Sequence, residues 1–136
     1  MLKLVQTDWG QFDLAYDDPA NDDAAAAVAT VIYATLFTDA EAPASREPDI
    51  YLRRGWWADS AAGTGLWHVR RQPLGDAARA ETLAMIRRAL ADADPALTGV
   101  VVEDASGPAA SGNVSSMAVT VSGFHNGRQF LVKVPL

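Results

Sequence analysis

Cysteine is absent from this 136-residue chain. That excludes a disulfide framework, a thiolate metal site and a cysteine nucleophile, and it fits synthesis in a reducing cytoplasm. Histidine occurs only at His68 and His125, and neither lies in an HxxxH or HExxH frame, so a histidine metal site has no support. Basic residues are in the minority. Eleven Lys and Arg against seventeen Asp and Glu leave a net charge of −6, which repels a polyphosphate and argues against nucleic-acid binding. No apolar run is long enough to span a bilayer, and the opening residues lack the apolar core and cleavage site of a signal peptide. The chain therefore reads as soluble and unprocessed.

What is present is 49% apolar and 21% charged residues, the balance of a globular domain with a core of its own. Two domains would each be undersized, so residues 1–136 are expected to form one. Leu2 to Val5 and Phe12 to Leu14 flank an Asp/Gly turn and read as an N-terminal hairpin. Asp22 or Asp23 is placed to cap a helix over Ala24 to Phe37, where Val28, Val31, Ile32, Thr35 and Leu36 recur at three- and four-residue steps. From Thr38 to Gly65 periodicity is lost among prolines and glycines, yet Ile50, Tyr51, Leu52, Trp56 and Trp57 fall there. That much aromatic mass is expected to pack against something. The type of the short run Leu66 to Val69 is open.

Asp76 is expected to cap a second helix over Ala77 to Ala93, with Leu83, Ile86 and Leu90 as its apolar stripe and Asp94-Pro95 as its stop. Val100 to Val102 reads as a strand, and Ala105 to Asn113 as a loop. Met117, Val119 and Val121 alternate with small polar residues, and Asn126-Gly127 marks a type I′ hairpin. This turn sets Val121 opposite Val132, Val119 opposite Val134, Met117 opposite Leu136, and Phe130 opposite Gly123, whose bare backbone its ring would cover. The fold class is α+β: an N-terminal hairpin, two main helices and a C-terminal antiparallel meander.

The chain offers little chemistry. Asp17, Asp18, Asp22 and Asp23 lack the glycine and terminal glutamate of a calcium loop. Gly63-Thr64-Gly65 lacks the lysine of a phosphate loop, and no serine sits in GxSxG. Both histidines read as surface or turn residues. Nothing singles out a catalytic pair among Glu41, Glu47, Glu81 and Glu103. What stands out is Arg53-Arg54-Gly55-Trp56-Trp57-Ala58-Asp59, with Trp67 shortly after. Tryptophan and arginine are the commonest interface anchors, and here they either anchor a contact or seal the core with an arginine stacked on a ring.

These residues resemble the Mu-like phage baseplate protein family. The resemblance rests on Leu36-Phe37-Thr38-Asp39, on Arg54-Gly55-Trp56-Trp57 with Asp59, and on Gly65-Leu66-Trp67. More loosely it runs through Arg70 and Arg71 to Glu81, Ala89 and Leu90, covering about Asp8 to Asp94. It implies a non-enzymatic structural subunit of a contractile tail, located in the virion baseplate and assembled in the host cytoplasm. The implied partners are other baseplate wedge, tube and sheath proteins in a sixfold array. No cofactor, nucleic acid, membrane or small-molecule substrate is implied.

The family is similar in layout to sheath-initiator wedge proteins, whose C-terminal β element pairs with neighbouring chains. Here that element is the hairpin Met117 to Val134, with Phe130, Val132 and Val134 on its last strand. The wider group carries Glu-Pro-Arg after its second helix, where this chain has Asp94-Pro95-Ala96, so the acid and proline persist without the arginine. Some members of that group are labelled lysozyme-like, an alternative that needs a pair of catalytic carboxylates. The interaction candidates are thus Arg53, Arg54, Trp56, Trp57, Asp59, Trp67, Asp94, Pro95, Phe130, Val132 and Val134.

Overall fold

The computed structural model describes residues 2–8, 11–16, 24–73, 75–106 and 117–136. Strands β1 (Leu2–Asp8) and β2 (Gln11–Tyr16) pair antiparallel as the expected hairpin, Leu4 opposite Leu14. They form a sheet of their own. This hairpin leans on α1 (Ala24–Phe37): Leu4 N–H donates to Thr30 Oγ1 at 3.1 Å, and Phe12 packs its ring on Tyr33 and Phe37. The expected caps Asp22 and Asp23, and the acidic loop Asp17 to Asp23, lie outside the described residues.

On α1 the apolar stripe turns inward as its spacing requires, with Val28, Ile32 and Leu36 buried. Leu66 to Val69, left open by its pattern, is a single-turn helix, α2 (Leu66–Val69). The second long helix is α3 (Asp76–Ala93), whose buried face is Ala78, Thr82, Ile86 and Leu90. Asp76 does not cap it. Gly75, in an extended conformation, holds the N-cap position, and Asp76 lies in the first turn, where its charge suits the positive helix end. Thr82, fully buried, satisfies its hydroxyl on the Ala78 carbonyl at 2.8 Å, so it costs the core no unpaired polar group.

Three strands follow: β3 (Leu97–Asp104), β4 (Ala118–His125) and β5 (Arg128–Pro135), in the order β3-β4-β5. Residues 107–116, which include most of the expected Ala105 to Asn113 loop, lie outside the described residues. The Asn126-Gly127 turn takes the required positive φ at both positions, 50° and 77°. It sets the expected register, Val121 opposite Val132 and Val119 opposite Val134, and Leu136 N–H reaches the Met117 carbonyl at 2.9 Å.

Phe130 stands opposite Gly123 as expected. The atoms nearest to where a side chain at Gly123 would stand are the carbonyls of Thr98 and Gly99 and the Cα of Val100, at 3.0–3.2 Å, so the backbone of β3 also crowds that space. The register of β3 shifts there, between Thr98 and Val101.

The inner face of this sheet, with Val102, Val119, Val121, Phe130, Val132 and Val134, joins Ile32, Leu36, Ile86 and Leu90 in one apolar cluster. Helix α3 is also fastened to β3 by two side chains. Arg87 Nη2 donates to the Val102 carbonyl at 2.7 Å, and Arg79 pairs with Asp104 at 2.6 Å.

Candidate interaction surface

The segment from Thr38 to Gly65 has no helical or strand period, yet it is tied down along its length. Ala40 N–H donates to the Thr64 carbonyl, Glu41 to Ser60 and Ala42 to Arg53, all at 2.8–2.9 Å. The residues after α1 thereby act as a spine for the loop's return. A 3-10 turn at Ile50–Leu52, capped by Asp49 Oδ1 accepting from Tyr51 N–H, is its one regular piece.

Two motifs far apart in sequence meet on this spine. Arg54 Nη1 pairs with Asp39 Oδ2 at 2.9 Å, and its guanidinium lies 4.7 Å from the centre of the Trp67 ring. Arg71 stands 5.2 Å from the same ring, and Trp67 Nε1 donates to the Ala40 carbonyl at 2.8 Å. The ion pair is exposed and contributes about 0–1 kcal/mol by itself, so the stacked ring and the backbone bonds hold the geometry. Arg54 and Gly55 both adopt positive φ, 58° and 96°, and swing the chain outward into Trp56-Trp57.

Gly63-Thr64-Gly65 secures the other end. Gly63 takes φ +93° against the Thr38 carbonyl, and buried Thr64 donates its hydroxyl to the Leu36 carbonyl at 2.6 Å. This triplet is a clasp between loop and helix, which accounts for its glycines without any phosphate.

The aromatic mass is divided between two tasks. Trp67 is partly buried and braces the loop. Tyr51 and Trp57 are each 92% exposed, Trp56 is half exposed, and Ile50 and Leu52 also face solvent. Among these rings Trp67 is the one packed against the loop, while Trp56 and Trp57 meet edge to face at 6.1 Å on its outer side. Arg53 is spent inside the loop, its Nε bonded to the Glu47 carbonyl at 2.8 Å. Asp59 closes the turn after the tryptophans by accepting from Ala61 N–H at 3.0 Å.

Asp94 and Pro95 lie apart from this group by element, in the turn between α3 and β3. Asp94 accepts from Ala96 N–H at 2.8 Å and stands 3.5 Å from His125 Nε2, while Pro95 is exposed. Phe130, Val132 and Val134 bury their side chains in the core, so their side chains form no part of the surface. What β5 offers instead is its backbone and the outward-facing Leu131, 72% exposed, and among the described residues no strand pairs with its outer edge. Tyr51, as exposed as Trp57, is the surface residue that motif reading passed over. Its signal was its place in the same unperiodic loop.

His68 is buried rather than at the surface, its ring edge-on to Trp67 and its Nδ1 without a hydrogen-bond partner among the described residues. Burial lowers its pKa below 6.5, Arg46 and Arg71 lower it further, and Glu81 opposes them. The unfolded chain therefore binds this proton first as pH falls through about 6.5. Stability should be full above that pH and decline below it until the folded-state pKa is reached. Comparing urea midpoints of the native chain and His68→Gln at pH 7.5 and 5 checks this: the native chain should lose more than the variant.

The fold and this surface define a small α+β domain that displays a braced arginine–tryptophan loop. The model of the family described as Phage protein GP46 matches residues 28–106, from within α1 to just past β3. That is more than half of the chain and takes in every motif of the loop. The chain belongs to this family and is a phage protein. No curated protein and no solved structure matches it.

Proposed function

We propose that this phage protein is a non-enzymatic structural subunit of a contractile-tail baseplate, working by burying surface against wedge, tube or sheath neighbours. The observation that carries the reading is the braced loop with Tyr51 and Trp57 almost wholly exposed. Each such ring offers roughly 150–250 Å² of surface, at about 25 cal/mol per Å² of apolar area removed from water. The loop is already ordered by its own hydrogen bonds, so little of that gain is spent on fixing it. The open edge of β5 supplies a second kind of contact, strand addition through the backbone.

The lysozyme-like alternative is poorly served. A glycan hydrolase needs one carboxyl kept protonated in dry surroundings, and Asp59 and Asp92, which line the groove described below, are both exposed.

Affinity capture of the tagged protein during particle production, followed by mass spectrometry and electron microscopy, tests the proposal. Recovery on sixfold tails with sheath, tube and baseplate chains is the expected result. Recovery of the protein alone, from preparations in which tails stay intact, would overturn it.

A further inference from the structure

Between α1, α3 and the returning loop runs a groove of about 770 Å³. It is lined by small or flexible side chains, Ala34 on α1 with Thr38 just past its end and Met85, Ala89 and Ala93 at helical spacing on α3, and by Trp56. Small residues on two neighbouring helices admit a third rod at close range.

The charges of α3 single out this groove. Of those that follow Asp76, Arg79 pairs with Asp104, Glu81 with Arg46, and Arg87 with the Val102 carbonyl. Arg88 and Asp92 have no partner among the described residues, and both line the groove, one helical turn apart and opposite in sign. Asp59 adds a second carboxylate from the loop wall.

The backbone of the groove decides the form of its occupant. Along the loop wall, the Ala61 amide is spent on Asp59 Oδ1, Ala62 on the Asp59 carbonyl, Thr64 on the Thr38 carbonyl and Gly65 on Met85 Sδ. An extended segment entering there would bury its own carbonyls without these donors. A helix carries its backbone bonds with it.

We propose that the groove seats a helix of a neighbouring tail protein, net basic on the seated face. A Lys or Arg of that helix would meet Asp92 and Asp59, and a carboxylate about one turn away would meet Arg88. This inference rests on the structural-subunit reading and names one of its partners by chemistry.

The absence of native cysteine makes a direct test available. Ala89→Cys carries a benzophenone photo-crosslinker into the groove, and Gly75→Cys, in open space about 20 Å along α3, is the control. Both are assembled into tails and irradiated. Mass spectrometry identifies the linked segment, and electron microscopy of the tails gives its conformation.

The expected product at position 89 is a helix of another tail chain with a basic residue within one turn of the link, absent from the position 75 control. Adding Asp92→Lys should cut its yield at least tenfold while the melting curve of the isolated protein is kept. A link to a second copy of this chain, to a non-helical segment, or to nothing in tails that contain the protein would overturn the inference alone. A correctly folded chain that never enters tails would overturn the structural-subunit reading with it.

Discussion

Gly63→Ala should destabilise the fold by about 3–5 kcal/mol, read as a lower denaturant midpoint at unchanged slope. The new Cβ would stand 2.1 Å from the Thr38 carbonyl oxygen and 2.7 Å from its carbon, and φ is +93°. The obstacle is backbone at the end of α1, which has no rotamer with which to move aside. The left-handed conformation alone costs an alanine roughly 1–2 kcal/mol. Relieving the contact parts Thr64 from Leu36 and from Thr38, each bond worth about 0.5–1.5 kcal/mol net. Gly127→Ala is the control for strain without collision, since its φ is 77° and nothing lies within 4 Å of the new carbon. It should cost only about 1 kcal/mol.

Trp57→Ala and Trp67→Ala should fail in opposite ways, although the motif places them in one short stretch. Trp57 is 92% exposed, so its removal should shift folding stability by less than about 0.5 kcal/mol. Its occupancy in purified tails should nevertheless fall at least about thirtyfold relative to a competing native chain, the equivalent of about 2 kcal/mol at a central anchor. Trp67→Ala removes the ring on which Arg54 and Arg71 stack and the bond to Ala40, and should cost about 3 kcal/mol of folding stability. Normal tail occupancy by a folded Trp57→Ala chain would remove this ring from the contact. Circular dichroism melts and competitive incorporation, measured on the same preparations, separate the two outcomes.

How much of this was legible in the sequence follows from which forces are local. Helix α1 was readable to its ends because Val28, Ile32 and Leu36 repeat at its own pitch, and the β4–β5 register because Asn126-Gly127 admits one kind of turn. The loop from Thr38 to Gly65 was read only as aromatic and unperiodic. Its order comes from backbone bonds between residues eleven to twenty-six apart, such as Ala42 to Arg53 and Thr64 to Thr38, and backbone bonding carries no side-chain signature.

The candidate site was legible as a composition, with its tryptophans and arginines named, but not as a division of labour. Which ring braces and which is displayed depends on Arg54 stacking on Trp67 and on the Trp67 bond to Ala40 across the loop. The same holds for His68, whose burial follows from the close approach of Gly65, where a Cβ would stand 2.3 Å from His68 Nε2. It also holds for the last strand, where alternation marked Phe130, Val132 and Val134 as one face without saying that the core would claim it.

The two margins of the C-terminal sheet are unequal, with Arg87 and Arg79 fastening α3 along β3 while β5 has no strand beyond it among the described residues. If the proposed strand addition occurs, the unfastened edge is the one offered first, and a chain joined through β5 alone would end a run of strands rather than extend it.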